Sequence, residues 1–494
     1  MSPFFTVAEI LAAVQGTLLQ GGATTVFAGV STDSRTCQSG QLFLPLTGER
    51  HDGHTFIPKA IHRGARGVLV EERVVRGTRA ENSDAPPIPY MGWLKKPASD
   101  GLRLHPKSGL IQVPPEVTVM AVTDTLKALG DLAQAWRKNF DLPVVAITGS
   151  CGKTTAKEMT AKVLSQAYRV LKNEMNLNNL IGLPQTLLGL DGAYEAAVVE
   201  LGMNRFGEIR RLVDICRPTV GVLLNVYPAH TEGVGCVEGV ARAKGELIDG
   251  LGEDAWLVFN ADDERIRRRA LAFPGRALGF GFRPEAHLKV VARESRGRDG
   301  QSAQVTWQGL TWELQLAAPG EHQLYNALAA TAVGLCLGVP PTAAAAALAD
   351  FQPIARRSQI TVLPSGVHLL NDCYNANPGS MAMALKTLME LKGHGRTAAA
   401  LGDMLELGEH AAREHRQLGR LAARMGLDFL IVYGEFREEV AAGAREAGLH
   451  PDRLRCVSRH ADGARLAQEW LRPGDWLLVK GSRGMHMENL IANL

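Results

Sequence analysis

An apolar, β-branched run at residues 144–147 leads directly into the octapeptide Thr-Gly-Ser-Cys-Gly-Lys-Thr-Thr at residues 148–155. A helical pattern follows from Ala156, so this stretch predicts a strand, a glycine-bearing turn and a helix, in that order. Such a turn points backbone N–H groups and the N-terminus of a helix at an anion. The sequence therefore predicts a phosphate-binding loop at the end of a buried strand.

This loop is close to the Walker A pattern but shorter. Two residues separate its glycines, where the general pattern has four. Lys153 is expected to meet the outer phosphates of a nucleotide, and the Thr154 hydroxyl is expected to hold Mg²⁺. The residues predicted to contact the nucleotide here are Gly149, Ser150, Cys151, Gly152, Lys153, Thr154 and Thr155.

The bulk composition narrows the class of protein. A length of 494 residues predicts roughly two to four domains, and 46% hydrophobic with 21% charged residues is typical of a folded, soluble chain. A net charge of +3 favours neither a nucleic acid nor a membrane as partner. Seven scattered cysteines without metal-type spacing predict a reduced, cytoplasmic chain. No apolar stretch approaches the roughly 18 residues that span a bilayer, and no basic region precedes the first apolar residues.

The order of apolar segments predicts three α/β domains, at residues 1–142, 143–353 and 354–494. In the first domain we expect helices at residues 6–15, 59–63 and 124–138, and strands at 67–70 and 117–120. Residues 80–115 are rich in Pro, Ser, Gly and Asn without a clear period, which predicts an inserted loop or a partly disordered segment. A lid, a partner contact and a neutral insertion are open roles for it.

The second and third domains alternate strands with helices. Predicted strands of the second domain lie at residues 144–147, 196–199, 220–225 and 256–259, which indicates a parallel sheet covered on both faces. Alternating residues at 288–316 predict β-hairpins on the edge of that sheet. Predicted strands of the third domain lie at residues 368–370, 397–401, 429–433 and 476–480, and indicate a smaller, Rossmann-like sheet.

Three polar residues stand at or after the strands next to the loop. Glu200 closes one strand, where a carboxylate beside a phosphate loop is placed to bind Mg²⁺; a solvated glutamate is the alternative. His230 follows the next strand on the same sheet edge, and Lys244 lies in the helix after it. Taken singly, this histidine reads as a surface or packing residue and this lysine as a solvated one.

Together these motifs resemble the Mur ligases of peptidoglycan synthesis, over nearly the whole chain apart from residues 80–115. The shortened phosphate loop is the central motif. Asp-Cys-Tyr-Asn-Ala-Asn-Pro at residues 372–378, Gly-Asp-Met-Leu-Glu-Leu-Gly at 402–408 and Lys-Gly-Ser-Arg at 480–483 are similar to the branch that adds D-alanyl-D-alanine. The resemblance implies an N-terminal domain for a UDP-linked substrate, a central ATPase-like domain and a C-terminal Rossmann-like domain.

The resemblance also implies a metal site. Its ligands would be Thr154, Glu200 and His230, around two Mg²⁺ ions, together with Lys244 as the lysine that the family carbamylates with CO₂. A carbamate turns this lysine into an oxygen anion, which suits a hard cation. The implied catalytic residues are Lys153, Lys244, His230 and Arg357.

Further implied contacts lie outside the phosphate loop. Asn326 matches the family's adenine-contacting asparagine, whereas Gln323 stands where the family usually has asparagine. The implied ATP contacts of the C-terminal domain are Arg357, Asp372, Tyr374 and Asn375. The implied substrate contacts are Ser31, Asp33, Ser34, Arg35, Asn178, Asn179, Asn377 and Asp403.

The implied activity is an ATP-dependent amide ligation. The carboxylate of UDP-N-acetylmuramoyl tripeptide would be activated as an acyl phosphate and then attacked by the amine of D-alanyl-D-alanine. A cytoplasmic location and the lack of a nucleic-acid or membrane partner are the expectations from composition, and a monomer is the default expectation. Three alternatives remain: another amino-acid ligase of the family, a folylpolyglutamate-type ligase, which should lack the first domain, and a nucleotide-dependent switch without ligase activity.

Overall fold

Sheets of five, nine and six strands organise this α/β protein. The computed structural model describes residues 5–48, 51–76, 101–106 and 109–494. The chain forms two compact units: Met1–Leu142 with Asn176–Glu195 and Asp214–Arg217, and Pro143–Met175 with Ala196–Val213 and Pro218–Leu494. The predicted α/β architecture is confirmed, whereas the exact domain boundaries stay predictions.

The five-stranded sheet belongs to the first unit. Its strands lie in the order Thr17–Gln20, Thr118–Val122, Gly67–Glu71, Leu42–Phe43 and Val30–Ser31. The first is antiparallel to its neighbour, and the other four are parallel. Around this sheet lie the helices Val7–Val14, Ile57–His62, Glu72–Arg76, Thr125–Arg137 and Gly182–Leu187, and a short antiparallel pair of Phe5–Thr6 with Val26–Phe27.

Local sequence explains where the first helices begin. Thr6 and Glu9 form a reciprocal capping box before Val7–Val14. The Asp124 side chain accepts the backbone N–H of Lys127 and caps Thr125–Arg137. The predicted helices at 6–15 and 124–138 are therefore confirmed to within one or two residues. The helix predicted at 59–63 begins earlier, at Ile57.

The predicted loop at 80–115 is wrong for its C-terminal part. Strands Leu102–Leu104 and Ile111–Val113 pair as an antiparallel hairpin, and Leu104 and Val113 are fully buried. These strands are three residues long, which is too short for an alternating pattern to stand out in the sequence. Residues 80–100 and 107–108 lie outside the described residues.

The nine-stranded sheet belongs to the second unit. Its strands lie in the order Val170–Lys172, Ala196–Glu200, Val144–Thr148, Val220–Leu223, Trp256–Asn260, Arg276–Gly281, Leu288–Ser295, Gln301–Trp307 and Leu310–Leu316. Pairing is parallel up to Leu288–Ser295, and the last two strands continue the sheet as antiparallel hairpins. The parallel sheet and its edge hairpins are therefore confirmed, although the strand predicted at 220–225 ends at Leu223.

Helices cover the faces of this sheet. They are Lys153–Leu164, Glu208–Cys216, Thr231–Val234, Val237–Gly250, Glu264–Ala270, Glu321–Cys336 and Pro341–Ala349. All five residues of Val144–Thr148 are buried, since this strand pairs on both sides with Ala196–Glu200 and Val220–Leu223. A buried central strand explains why its sequence is apolar without alternation.

The six-stranded sheet has the order Gln359–Val362, His368–Asn371, Trp476–Lys480, Thr397–Leu401, Phe429–Tyr433 and Leu454–Val457. Only its first pairing is antiparallel. Its helices are Pro378–Leu391, Ala411–Arg424, Arg437–Glu446, His460–Trp470 and Glu488–Ile491. Two separate apolar clusters pack against it, as a doubly wound sheet requires. Of the helices that the model describes, none has the length and apolar character to cross a bilayer.

Candidate active site

The phosphate loop lies where strand Val144–Thr148 ends and helix Lys153–Leu164 begins. Gly152 caps that helix with a φ of +83°. A Cβ atom at this position would lie 2.4 Å from Oδ1 of Asn326, so only glycine fits here. The tight turn thus brings the loop against the helix that carries the predicted adenine contact.

Hydrogen bonds from residues 225–227, in the loop after strand Val220–Leu223, fix the conformation of the phosphate loop. The Ser150 hydroxyl donates to the Tyr227 carbonyl and accepts the Tyr227 N–H, each at 2.9 Å. Asn225 accepts the Cys151 N–H at 2.9 Å and donates to the Cys151 carbonyl at 3.0 Å. Asn225 was not predicted as a site residue. The sequence signal that could have found it is its place just after strand Val220–Leu223, which pairs with the strand before the phosphate loop. Burial raises the pKa of the Cys151 thiol to about 12.

The two oxygen ligands predicted for Mg²⁺ are in contact. The Thr154 hydroxyl donates to Oε2 of Glu200 at 2.7 Å, and both residues are buried. Asn173, which sequence reasoning missed, accepts the Glu200 N–H at 2.9 Å. Lys153 donates to the Gly149 carbonyl at 3.0 Å. A hydroxyl and a carboxylate side by side at the end of a strand fit a hard divalent cation.

Lys244 is fully buried, and its Nζ atom has no hydrogen-bond partner among the described residues. Burial, and then repulsion from Lys153, lower the pKa of this amine well below its usual value. The charges of Lys153 and Glu200 both act on Lys244, so it lies within electrostatic reach of the phosphate loop. An unpartnered amine whose charged form is disfavoured by burial fits the predicted carbamate, since only an uncharged amine can react with CO₂.

His230 stands at the start of helix Thr231–Val234 with a φ of +56°. Its Nδ1 atom lies 2.5 Å from Oε2 of Glu406, a residue that was not predicted to belong to the site. The close approach of His230 lowers the pKa of the Glu406 carboxyl, although Nδ1 and Oε2 are not aligned for a hydrogen bond. Within the described part of the chain, no group of three or more His, Cys, Asp or Glu side chains is placed to hold a metal ion. The predicted ligand set contains only two such residues, Glu200 and His230.

Asn326 is buried on helix Glu321–Cys336 and donates to Gln323 at 3.3 Å. Gln323, the departure from the family pattern, therefore orients the predicted adenine contact. One residue earlier, His322 lies 3.2 Å from the Ser358 hydroxyl, measured from its Nε2 atom. Burial lowers the pKa of His322 to about 4, so its ring is neutral at pH 7.

Arg357 lies over the ring of Tyr374, with its guanidinium carbon 4.0 Å from the ring centroid. Its two neighbours, Arg356 and Ser358, both have positive φ values, of +64° and +51°. Two of three consecutive non-glycine residues thus have left-handed backbones. Such backbones are strained, and strain of this kind concentrates at functional sites. The Ser358 N–H donates to Asp372 at 2.9 Å, which ties this turn to the Asp-Cys-Tyr-Asn-Ala-Asn-Pro motif.

That motif is held by a buried lysine and reaches the phosphate loop. Lys480 donates to Oδ2 of Asp372 at 2.5 Å and to the Asn375 carbonyl at 2.9 Å. Asn377 caps helix Pro378–Leu391 and donates from Nδ2 to the Ser150 carbonyl at 3.1 Å. The C-terminal domain therefore contacts the phosphate loop directly.

Asp403 is buried, and its carboxylate accepts the N–H groups of Glu435 at 2.7 Å and Phe436 at 3.2 Å. Burial raises the pKa of this carboxyl. The His415 Nε2 atom lies 3.7 Å from it. These contacts fix the turn after strand Phe429–Tyr433, and the predicted dipeptide contact of Asp403 stays a prediction.

The substrate contacts predicted for the first unit fall into two segments. Asp33 pairs with Arg35 at 2.8 Å, which lowers the pKa of Asp33 to about 2, while Ser31 donates to the Asp33 carbonyl and Ser34 is buried. In the second segment Asn179, next to Asn178, accepts the N–H groups of Ile181 and Gly182, just before helix Gly182–Leu187. A hydrogen bond of 2.5 Å from Gln185 to Thr32 joins the two segments.

Three family models match the chain. They describe a Mur ligase family catalytic domain at residues 26–104, a Mur ligase middle domain at 147–334 and a Mur ligase glutamate ligase domain at 356–483. The UDP-N-acetylmuramoyl-tripeptide–D-alanyl-D-alanine ligase of Bacillus subtilis (strain 168) is 34% identical over 490 residues, which cover 99% of this chain and 98% of that protein. The ligase of the same name from Escherichia coli (strain K12) is 33% identical, covering 96% and 95%.

Solved structures agree with these matches. A crystal structure of MurF from Acinetobacter baumannii has a TM-score of 0.85 at 29% identity and covers 100% of this chain and 99% of its own. MurF from Thermotoga maritima in complex with ADP has a TM-score of 0.77 at 26% identity, covering 94% and 96%. A folylpolyglutamate synthase from Mycobacterium tuberculosis, at 17% identity and a TM-score of 0.60, shares the fold alone over 74% of this chain.

The matching models follow one another in chain order, and the relatives align from end to end. The first sheet, which a folylpolyglutamate-type ligase was expected to lack, is matched as well. By this agreement of sequence and structure, the chain belongs to the Mur ligase family.

Proposed function

We propose that this chain is an ATP-dependent ligase that joins D-alanyl-D-alanine to UDP-N-acetylmuramoyl tripeptide and releases ADP and phosphate. The observation that carries the proposal is the buried, unpartnered amine of Lys244 beside a phosphate loop whose Thr154 contacts Glu200. The full-length relatives that bear this activity in their names support the choice of substrates. The branch motifs at residues 372–378 and 402–408 support it as well.

ATP would lie on the phosphate loop and helix Lys153–Leu164. The N–H groups of the loop and the Lys153 ammonium would face its phosphates, and Asn326 would meet its base. Mg²⁺ would be held by Thr154 and Glu200, with His230 and carbamylated Lys244 at a second ion. When bound, the metal neutralises charge on the phosphates.

Lys244 would hold the carbamate. Its amine lone pair attacks the carbon of CO₂, a C–N bond forms, and one proton leaves, so that the side chain ends in a carboxylate-like anion. Burial of Lys244 supports this step because it keeps the amine uncharged. The role of the carbamate is to position a cation beside the phosphates.

The amide bond would form in two steps. The tripeptide carboxylate attacks the γ-phosphoryl group, which gives an acyl phosphate and ADP. The amine of the dipeptide then attacks the acyl carbon, and phosphate leaves with the oxygen of the original carboxylate. Lys153 and Arg357 would stabilise negative charge on the transferred group, since phosphoryl transfer depends on positioning and charge neutralisation.

Each domain would have its own task. Residues 1–142, with Ser31, Asp33, Ser34 and Arg35, would bind the UDP-linked substrate. Residues 143–353 would bind ATP, and residues 354–494 would close over it and hold the dipeptide near Asn377 and Asp403. Closure would keep water from the acyl phosphate. All seven cysteines are described as thiols rather than disulfides, which supports a reduced, cytoplasmic location; we also propose a monomer.

The test is phosphate release from ATP with UDP-N-acetylmuramoyl tripeptide, measured with and without D-alanyl-D-alanine. The proposal requires release that depends on the dipeptide, with the UDP-linked pentapeptide detected by mass spectrometry. Release that depends on a single amino acid would assign the chain to another branch of the family. ATP binding without release, whatever the acceptor, would favour a nucleotide-dependent switch.

A further inference from the structure

Two segments from different sheets meet beside the predicted metal ligand His230. Residues 230–235 follow the strand next to the phosphate loop, and residues 403–410 follow strand Thr397–Leu401 of the C-terminal sheet. Three hydrogen bonds join the two segments. They are Thr231 Oγ1 to Leu407 O at 3.0 Å, Glu232 N to Glu406 O at 3.2 Å, and His410 Nε2 to Gly235 O at 2.8 Å.

The carboxylate of Glu406 projects from this interface onto the His230 ring. Oε2 lies 2.5 Å from Nδ1, in close electrostatic contact, although the two atoms are not aligned for a hydrogen bond. Both residues have left-handed backbones, with φ values of +63° for Glu406 and +56° for His230. Non-glycine residues avoid this region, so the two facing residues are held in place by their surroundings.

A carboxylate on one nitrogen of an imidazole has a defined chemical consequence. Its negative charge favours the tautomer that carries the proton on Nδ1, which leaves the lone pair of Nε2 for another ligand. Such a partner also makes the ring a better donor to a metal. In this chain that partner comes from the C-terminal domain, whereas the histidine comes from the central domain.

We propose that Glu406 is a positioning residue for His230, through which docking of the C-terminal domain completes the metal site of the central domain. This inference rests on the proposed function, because it takes His230 as a metal ligand. Its consequence is regulatory: the metal is held tightly only while residues 403–410 lie on residues 230–235. Phosphoryl transfer is thereby tied to the docked arrangement, in which Asn377 also contacts the phosphate loop.

The other contacts of the interface allow docking to be tested separately from the position of the His230 ring. The bonds from Thr231, Glu232 and His410 do not involve the Glu406 carboxylate. Removing that carboxylate should leave the interface in place while freeing the His230 ring. Glu409, in the same segment, offers a matched control because its side chain is 87% exposed and its nearest cation is His410 at 3.9 Å.

The experiment measures Mn²⁺ binding to the full chain by electron paramagnetic resonance, in the presence of the non-hydrolysable ATP analogue AMPPCP. We expect Glu406→Ala to weaken Mn²⁺ binding about tenfold, with a smaller loss in Glu406→Gln, whose amide oxygen keeps a partial negative charge beside Nδ1. Glu409→Gln should bind Mn²⁺ as the unmodified protein does. Binding of AMPPCP without metal should be the same in all of them.

A double-mutant cycle tests whether Glu406 acts through His230. In a His230→Gln background, Glu406→Gln should change Mn²⁺ binding by less than about twofold. His410→Ala removes one docking bond without touching His230, and it should leave Mn²⁺ binding within about twofold of the unmodified protein. If Glu406→Gln weakens Mn²⁺ binding as much in the His230→Gln background as in the unmodified protein, the proposal is overturned, because Glu406 would then act without His230.

The remaining outcomes distinguish this inference from the proposed function. If the unmodified protein binds no Mn²⁺ with AMPPCP, the metal site of the proposed function fails, and the positioning role fails with it. If the unmodified protein binds Mn²⁺ and both Glu406 variants match it, only the positioning role is overturned. Glu406→Gln serves as the deciding variant should Glu406→Ala fail to fold.

Discussion

The Thr154 hydroxyl donates a hydrogen bond of 2.7 Å to the carboxylate of Glu200, although the two residues are 46 positions apart in the chain. Parallel pairing of Val144–Thr148 with Ala196–Glu200 brings the C-terminal ends of these strands to the same edge of the sheet. The pair is buried, and Asn173 fixes the Glu200 backbone from the other side. The pairing of these strands thus places the oxygen atoms of the proposed metal site side by side.

Removing the charge of Glu200 should abolish ligation without unfolding the chain. Glu200→Gln keeps the size of the side chain and an oxygen for Thr154 but loses the negative charge that a divalent cation requires. We expect a fall in kcat of at least about a hundredfold, or roughly 3 kcal/mol of transition-state stabilisation. Phosphate release is the measurement, with Glu253→Gln, an exposed residue after helix Val237–Gly250, as the control. Unchanged turnover in Glu200→Gln would remove the carboxylate from the mechanism.

Gly152→Ala should lose ATP binding for a steric reason. The added Cβ would lie 2.4 Å from Asn326, and the φ of +83° costs a further roughly 1 kcal/mol for any residue with a side chain. Gly448→Ala is the matched control, because its φ is +92° and no atom lies within 4 Å of the added Cβ. Both variants should lose about 1 kcal/mol of stability, whereas only Gly152→Ala should lose nucleotide binding by calorimetry. Equal nucleotide affinities would show that the close approach to Asn326 is not required.

Lys244→Ala should reduce ligation about a hundredfold or more, because the buried amine that accepts CO₂ is removed. Added acetate should restore part of the activity, since its carboxylate can occupy the vacated space and supply oxygen. In the unmodified protein, ¹³C-bicarbonate should give a carbamate resonance by NMR that is absent from Lys244→Ala. Lys392→Ala, at an exposed residue after helix Pro378–Leu391, should retain both the resonance and the activity. A carbamate resonance that survives in Lys244→Ala would place the modification elsewhere.

His322 should make the folded state sensitive to acid. Burial lowers its pKa from 6.5 to about 4, so between these values the unfolded chain binds a proton that the folded chain does not. Stability therefore falls as the pH drops through this window, by up to about 3 kcal/mol from this group. We expect His322→Asn to lose less stability than the unmodified protein between pH 7 and pH 4.5, measured by urea unfolding. Parallel pH profiles of the two proteins would contradict this assignment.

Elements with a long, consistent pattern could be predicted from the sequence. The apolar strand at 144–147 and the glycine-bearing turn after it indicate a buried strand and a phosphate loop, because few other structures have an apolar strand, such a turn and a helix in direct succession. The hairpin of Leu102–Leu104 and Ile111–Val113 escaped prediction. Each of its strands is too short for a period, and the surrounding Pro, Ser and Gly favour a loop.

Residues of the site could be predicted only where they belong to a recognisable sequence motif. Thr154, Glu200 and Lys244 stand in recognisable contexts, whereas Glu406 reaches His230 across 176 positions through contacts that no local pattern encodes. Asn173 and Asn225 act on the backbone of neighbouring loops. Their importance depends on which strands are adjacent in the sheet, and strand order is a property of the folded chain.

The most direct test of the proposed mechanism follows the oxygen atoms of the tripeptide carboxylate. UDP-N-acetylmuramoyl tripeptide labelled with ¹⁸O in that carboxylate is incubated with ATP and D-alanyl-D-alanine, and the released phosphate is analysed by mass spectrometry. Activation through an acyl phosphate predicts one ¹⁸O atom in each phosphate and one in the new amide. Pentapeptide formed together with unlabelled phosphate would contradict the mechanism, because the carboxylate oxygen would then never have been bonded to phosphorus.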